Sequence, residues 1–296
     1  MAVRLPPDTD GPALLHTRDR RRLAQRVSDA HRGIDDSTLM CFVSGSVVDG
    51  LADARSDVDM SVVMAQLPEK AVLERACQAA GGTPWFWSAG ELGDQQLVVA
   101  FHVDDVEVQV AYASHAVLHD QLDELLRRHN PDTPLHKLAE GILKAEPLFS
   151  RQPLLALQQR LAAFPPALGL AMARHFIDTP PFPWRAMNQL IERDAVLWCR
   201  ELQVQAGYRL LGLLAAVNGR YYTTFQNKRL RHFAAQLAIS PPGLAERLEA
   251  LLSAPPGPAA RALHALEGEV LALVAQAFPG LDLAAVQARR AQFAGG

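Results

Sequence analysis

The chain has 296 residues, of which 49% are apolar, with a formal net charge of −3 and a mean hydropathy of 0.00. This length allows one large domain or two ordinary ones, and the weakly negative charge gives no strong nucleic-acid signal. No stretch reaches the roughly 18 uncharged apolar residues of a membrane span, and the N-terminal residues lack the apolar segment of a signal peptide. The three cysteines are odd in number and widely spaced, which favours reduced thiols. We therefore expect a cytoplasmic protein without a membrane partner.

The first part of the chain alternates between helical and strand patterns. Leucines at helical spacing predict a helix over 12–32, and Pro68 begins a second helix that Gly81 ends. Runs rich in valine or aromatic residues, bounded by Gly or Asp, predict strands at 39–44, 58–64, 84–88, 95–103 and 105–113. The aromatic residues of 85–87 favour a core position over a substrate groove. Together these elements predict a mixed sheet of about five strands.

Beyond Ser114 the sequence favours helix almost throughout. It is rich in Leu, Ala, Gln, Glu and Arg, and prolines divide it into segments of helical length. We predict an all-α helical bundle whose longest members cover about 184–217 and 259–278. The fold class is thus α+β, with a sheet-containing domain over 1–128 and a helical domain over 129–296.

A possible phosphate site follows the first strand, at Gly45-Ser46. A glycine there lets the backbone approach phosphate oxygens, and the serine hydroxyl and the following N–H groups donate hydrogen bonds to them. Alone, however, a Gly-Ser pair after a strand is more often a simple turn.

Two aspartates near the second strand carry more information. Asp57 and Asp59 are two residues apart, so on a strand both carboxylates point to the same face. Adjacent carboxylates repel each other unless a cation lies between them, and magnesium prefers oxygen ligands. Solvated acids on an edge strand are the alternative, but the run 60–64, which is apolar except for Ser61, is typical of a buried strand.

A third acid comes from the run Asp105–Val110, in which the valines face one way and the polar residues the other. Glu107 lies inside this strand, whereas Asp105 lies at its start. A charged side chain within an apolar strand is costly unless it is paired or metal-bound, so Glu107 is the stronger candidate.

Taken together, Gly45-Ser46, the segment Ser56-Asp57-Val58-Asp59 and a later acidic strand resemble the nucleotidyltransferase superfamily of DNA polymerase beta type. The layout is closest to aminoglycoside and lincosamide nucleotidyltransferase-like bacterial proteins. The resemblance implies catalytic and magnesium-binding roles for Asp57, Asp59 and Glu107. It also implies that Gly45, Ser46 and Ser56 bind the nucleotide.

A second candidate nucleotide contact lies far along the chain, in the segment 213–228. Lys228 would reach the β- or γ-phosphate, and Tyr221 or Tyr222 would stack on the base or line the acceptor pocket. A helix C-cap at Asn218-Gly219 with an exposed lysine beyond it explains the same residues equally well. Glu192 and Asp194, placed in the predicted long helix, are weaker candidates for an acid on the acceptor side.

These features predict a transferase that uses Mg²⁺, at a two-metal site, to move a nucleoside monophosphate from ATP or another triphosphate to a hydroxyl acceptor. The acceptor would be a small molecule such as an antibiotic, or alternatively a protein or a tRNA. Glu107 would be either a metal ligand or the general base. A non-catalytic nucleotide-binding regulator of the same fold and a structural calcium site are the competing interpretations.

Overall fold

The computed structural model describes residues 12–34, 36–131, 133–178 and 182–293. Residues 1–11, on which part of the signal-peptide prediction depends, lie outside these ranges. The chain forms two compact units. The first contains the residues up to Asp123 together with Leu138–Ala163, and the second contains Glu124–Lys137 and the residues from Phe164 onward.

A six-stranded mixed sheet forms the centre of the first unit, in the order β3-β4-β5-β2-β1-β6. Strands β2 and β5 are parallel, and the other neighbouring pairs are antiparallel. The strands are β1 (Thr38–Val43), β2 (Val58–Met64), β3 (Trp87–Glu91), β4 (Gln96–Val103), β5 (Val106–Ser114) and β6 (Glu146–Phe149). The mixed sheet is confirmed, and the additional strand is β6. It is only four residues long and lies within the part of the sequence that favours helix.

One face of this sheet packs against two helices, α1 (Pro12–Ile34) and α2 (Lys70–Ala79). The buried side chains between them come from alternate positions of the central strands and from one side of each helix, and they include Leu23, Val27, Val58, Leu73 and Val108. Further along the chain, helix α5 (Arg151–Ala162) contacts β1. Because side chains alternate along β2 and β5, one face of the sheet is buried in this core. The other face is left for polar residues.

All three cysteines are free thiols and buried. Burial raises the pKa of the Cys41 thiol to about 11, which keeps it protonated and unreactive at neutral pH. Cys77 lies in the core, where its sulfur accepts a hydrogen bond from the Trp85 indole at 3.4 Å. Among the described helices, none is long and apolar enough to cross a membrane.

The edge strand β3 departs from the sequence prediction in position and in burial. It begins at Trp87, so most of the predicted strand 84–88 is the segment that leads into it. Phe86 and Trp87 are about half exposed, at 54% and 48%, and the core position predicted for them is therefore wrong. Phe86 stacks instead on the imidazole of His102 in the neighbouring strand, with 4.8 Å between ring centroids.

The second unit is helical in the residues that the structure describes. Helices α3 (His115–Leu126) and α4 (Thr133–Lys144) contribute residues to both units. The remaining helices are α6 (Pro166–Asp178), α7 (Trp184–Ile191), α8 (Val196–Val217), α9 (Leu230–Ala235), α10 (Leu244–Ser253), α11 (Pro256–Ala277) and α12 (Ala284–Arg290).

The single long helix predicted over 184–217 is wrong, because α7 ends at Ile191 and α8 begins at Val196. Glu192 and Asp194 lie in this break and are exposed, not on a helix as predicted.

Candidate active site on strands β2 and β5

The candidate acids lie at two neighbouring parallel strands: Asp59 is on β2, Glu107 is on β5, and Asp57 directly precedes β2. Asp59 of β2 is opposite Gln109 of β5, and both side chains are partly exposed. The valine that precedes each of them is buried in the α1–α2 core. Because side chains alternate along a strand, Asp59 and Gln109 lie on the other face of the sheet. Asp57 and Glu107 precede them by two residues and therefore lie on the same side.

A single amide group brings two of the acids together. Gln109 Nε2 donates to Glu107 Oε1 at 2.8 Å and lies 3.4 Å from Asp57 Oδ2. One amide thus contacts a carboxylate of its own strand, β5, and a second carboxylate from the residue that directly precedes β2. Asp105, the alternative third acid, lies in the exposed two-residue turn between β4 and β5 and has a positive φ of 61°.

The turn after β1 lies directly against Asp59. Gly45 has a φ of +67°, and a Cβ built on it would lie 2.3 Å from Asp59 Oδ2. The backbone is held in this place by Ser44 N–H, which donates to the Asp59 carbonyl at 2.9 Å. Only glycine satisfies both the backbone angle and the close approach of the carboxylate.

Ser46 belongs to a single 3₁₀ turn, Gly45–Val47, so no extended helix begins at this position. Its Oγ is buried and has no hydrogen-bond partner among the described residues. A buried hydroxyl without a partner is unfavourable, and an added acceptor would relieve this cost.

The loop that leads into Asp57 is held by an arginine that the sequence analysis did not select. Arg20 of α1 donates through Nε to the Ser56 carbonyl at 2.9 Å and through Nη2 to the Ala54 carbonyl at 3.2 Å. The Ser56 hydroxyl accepts from Asp53 N–H at 2.9 Å and donates to Asp53 Oδ1 at 3.2 Å. The Ser56 side chain thus stabilises the turn. Hydrogen bonds of this kind, from a helix side chain to backbone carbonyls far along the chain, cannot be recognised in the sequence.

The nucleotide contacts proposed from the sequence for the later segment lie in the helical unit. Tyr222 is buried, with its ring near those of Phe176 and Phe233, and Asn227 Nδ2 lies 3.4 Å from its hydroxyl. This is the environment of a core residue. The predicted C-cap is present, since α8 ends at Val217, Asn218 is its C-cap and Gly219 follows with a φ of +61°.

Lys228 is exposed and shares an aromatic neighbour with a second lysine. Its Nζ lies 5.3 Å from the centre of the Phe225 ring, and Lys137 Nζ lies 4.3 Å from the same centre. Phe225 is itself 52% exposed. Two cations beside an exposed ring form a surface that suits a phosphate joined to a planar base. The sequence does not reveal Lys137, because it lies far from Lys228 along the chain.

The donor chemistry of Asp57, Asp59 and Glu107 suits a hard cation such as Mg²⁺, because all three supply carboxylate oxygens. The Gln109 amide contacts two of these carboxylates. It therefore lies where a positive charge would interact favourably with both. Within the described ranges, no group of three or more His, Cys, Asp or Glu side chains is arranged closely enough to hold a metal ion.

No protein-family model matches the chain, and no curated protein matches it. Solved structures do align with it, among them that of a nucleotidyltransferase-like protein from Exiguobacterium sibiricum 255-15. This alignment has 14% sequence identity and a TM-score of 0.43, and it covers 88% of this chain and 77% of the other. A likeness at this level establishes no family, so the function has to be inferred from the residues of the site.

Proposed function

We propose that the chain is a magnesium-dependent nucleotidyltransferase that moves a nucleoside monophosphate, AMP in the first instance, from a triphosphate to a hydroxyl acceptor. The observation that supports this most directly is the contact of one Gln109 amide with Glu107 on β5 and with Asp57, which directly precedes the parallel strand β2. Asp59 lies on the same face and contacts the glycine turn. Carboxylates beside a phosphate-accessible turn are what nucleotidyl transfer requires.

Each residue has a separate task in this proposal. Asp57 and Asp59 would hold the metal ions when these are bound, while Ser46 and the nearby backbone N–H groups would bind the β- and γ-phosphates. The Ser46 hydroxyl, which has no hydrogen-bond partner in the part of the chain that the structure describes, supports that assignment, since rotation about χ1 would let it donate to a phosphate oxygen. Glu107 completes the second metal site or accepts the proton of the acceptor.

The reaction forms a bond between the acceptor oxygen and the α-phosphorus. The bond from this phosphorus to the bridging oxygen of the β-phosphate breaks, and pyrophosphate leaves with the electron pair. The acceptor proton passes to Glu107 or to solvent. When bound, magnesium would lower the pKa of the acceptor hydroxyl and neutralise the charge that develops on the phosphates.

In the helical unit, we assign phosphate binding to Lys228. Lys137 is its partner, because both ammonium groups lie beside the exposed ring of Phe225. The base would stack on Phe225, since the buried ring of Tyr222 is packed in the core of the unit. For the acceptor, a small molecule such as an antibiotic is the first class to test, and a protein or a tRNA is the second.

A nucleotide-binding regulator without catalysis is the second candidate function. It is favoured by Gln109 itself, because a neutral amide that donates to Asp57 and Glu107 stabilises both carboxylates without a cation. A protein of this kind would bind a triphosphate and release no pyrophosphate.

Thermal unfolding with ATP and Mg²⁺ tests the proposal, using the wild type, Asp59→Asn and the control Asp105→Asn. Asp105 is exposed in a turn with positive φ, which asparagine tolerates. We expect ATP with Mg²⁺ to stabilise the wild type and the control, and Asp59→Asn to lose most of this shift. The enzyme proposal fails if the nucleotide shifts none of the three. Stabilisation by the cation alone would indicate a structural cation site.

Pyrophosphate release with each of the four nucleoside triphosphates, against pooled small-molecule, protein and tRNA acceptors, separates the enzyme from the regulator. We expect release with one triphosphate and one acceptor pool, and loss of this release in Asp59→Asn. Nucleotide binding without release in any pool would favour the regulator.

A further inference from the structure

A buried carboxylate organises one end of the helical unit. Glu267 of α11 is 2% exposed and accepts hydrogen bonds from Arg209 Nη2 at 2.6 Å and from the Trp184 indole N–H at 2.7 Å. Its Oε2 also lies 3.0 Å from Arg290 Nε. The single negative charge of this carboxylate thus already faces the guanidinium groups of Arg209 and Arg290.

Further positive charge is nevertheless present beside it. Arg289 Nη2 is buried and makes no hydrogen bond within the described residues. Its ion pair there is with Asp178, at 4.0 Å, and that side chain is 67% exposed. Burial lowers the pKa of the Arg209 guanidinium, and the charge of Arg289 lowers it further, which shows that the two cations repel each other. Arg289 thus adds positive charge near Arg209, which is already paired with the buried Glu267.

A pocket of about 340 Å³ opens next to this cluster. Its wall combines aromatic rings with cationic and amide side chains, from Phe182, Trp184, Arg185, Gln189, Arg289 and Gln292. The rings of Phe182 and Trp184 lie 4.3 Å apart between centroids and are buried at its base. The volume lies in the range of pockets that accept small organic molecules.

We propose that this pocket binds a small organic oxyanion, a carboxylate or a phosphate monoester carried on a planar aromatic body. The Arg289 guanidinium, whose Nη2 has no hydrogen-bond partner in the described part of the chain, pairs with the oxyanion. The aromatic body packs against Phe182 and Trp184. The site belongs to the helical unit and does not depend on the proposed nucleotidyl transfer.

The chemistry of the wall favours this class over its alternatives. A cationic ligand would face two arginines, and an uncharged ligand would leave the Arg289 donor unsatisfied. Inorganic phosphate would pair with the guanidinium but leave the aromatic wall in contact with water. A ligand that combines both features satisfies the whole surface.

Titration of the full-length protein with benzoate, phenyl phosphate, phenol and inorganic phosphate tests the proposal. Calorimetry gives the affinities, and the Trp184 indole N–H signal in a ¹H–¹⁵N spectrum, assigned with Trp184→Phe, reports the place of binding. Phenyl phosphate against benzoate distinguishes the two oxyanions. The variants are Arg289→Gln, Arg185→Gln and the control Arg247→Gln, whose exposed ion pair with Glu269 lies on other helices of the same unit.

We expect benzoate or phenyl phosphate to bind and to shift the Trp184 signal, with phenol and inorganic phosphate at least about tenfold weaker. Arg289→Gln should weaken binding by about tenfold to a hundredfold, and Arg247→Gln should leave it unchanged. Binding of none of the anions, equal binding of phenol, or unchanged affinity in Arg289→Gln would overturn the proposal.

Discussion

Gly45 and Asp59 are in contact across the turn that joins the first strand to the candidate active site. The Asp59 carboxylate occupies the space in which a side chain at position 45 would begin, with 2.3 Å between Oδ2 and an ideal Cβ. The backbone of the proposed phosphate turn and the proposed metal ligand therefore constrain each other, and neither residue can change without displacing the other.

Replacing Gly45 by alanine should consequently damage the site. The substitution adds a side chain at a φ of +67° and moves the Asp59 carboxylate, so we expect pyrophosphate release to fall on the order of a hundredfold. We also expect the free energy of unfolding to fall by about 1–3 kcal/mol. Gly93→Ala is the matched control, because a Cβ there meets no atom within 4 Å. Activity retained in Gly45→Ala would contradict the role of this contact.

The Gln109 amide gives a second prediction, about metal dependence. Gln109→Ala removes the donor shared by Asp57 and Glu107, so without metal we expect the variant to be less stable than the wild type by about 1 kcal/mol. With saturating Mg²⁺ this difference should disappear, because the cation replaces the lost donor. Urea unfolding in the presence of a chelator and of Mg²⁺ measures both values. An equal loss of stability in the presence of the chelator and of Mg²⁺ would show that Gln109 is not part of a cation site.

The acids of this site were predictable from the sequence because a strand has a strict period of two. Asp57 and Asp59 had to share a face, and Glu107 had to face away from the valines of its strand. The parallel pairing of β2 with β5 is a tertiary relationship, and it is this pairing that brings Gln109 between two acids. In the sequence Gln109 is one of the polar residues of its strand, but no feature there predicts its contact with the acids.

Other features escaped prediction because they depend on long-range contacts. Strand β6 has four residues and pairs with β1, so local helix preference hid it. The predicted helix 184–217 is interrupted at 192–195, where the residues have no strong helix-breaking character. Phe86 and Trp87 are exposed because β3 is an edge strand, and edge position cannot be read from composition.

Two glycines of α8 should respond in opposite directions to the same substitution. A Cβ on Gly212 would lie 2.5 Å from the ring of Phe176 in α6, whereas one on Gly207 would meet Leu248 at an ordinary 3.6 Å. We expect Gly212→Ala to lower the free energy of unfolding by about 1–3 kcal/mol through overpacking. Gly207→Ala should raise it by about 0.5–1 kcal/mol, because alanine is the better helix former. Urea unfolding followed by circular dichroism measures the free energy of unfolding of both variants. A change in the same direction in both would refute the packing described for α6 and α8.

Acid should destabilise the helical unit through His136. Burial, and to a smaller extent the nearby His175, together lower the pKa of this imidazole to about 4 from its ordinary value of 6.5. Between these values the unfolded state binds more protons, so stability falls as the pH decreases from about 6.5 to about 4, by up to about 3 kcal/mol.

The His136→Asn variant isolates this contribution. Asparagine retains an acceptor for the Tyr222 N–H, which lies 3.4 Å from His136 Nδ1. Urea unfolding of both proteins at pH 7 and pH 4.5 gives two differences in stability, and the wild-type loss should be larger by about 2–3 kcal/mol. Equal losses would show that other groups cause the acid sensitivity.

Arg20 should act as a positioning residue for Asp57. It donates to the carbonyls of Ala54 and Ser56, immediately before the first acid, and a shorter neutral side chain cannot reach both. In Arg20→Gln we expect the rate of pyrophosphate release to fall about tenfold and half-maximal activity to require more Mg²⁺, because Asp57 is less well fixed. The free energy of unfolding should change by no more than about 1 kcal/mol.

Arg22→Gln is the matched control for this effect. Arg22 lies on the same helix, is 81% exposed and pairs with Asp19 at 3.5 Å, so its loss should alter neither the Mg²⁺ requirement nor the rate. If both variants lowered the rate equally, the effect would come from the charge of the helix. If Arg20→Gln reduced stability without changing the Mg²⁺ requirement, Arg20 would stabilise the fold and would not position Asp57. A raised Mg²⁺ requirement in Arg20→Gln alone would link a helix that packs on one face of the sheet to an acid on the other.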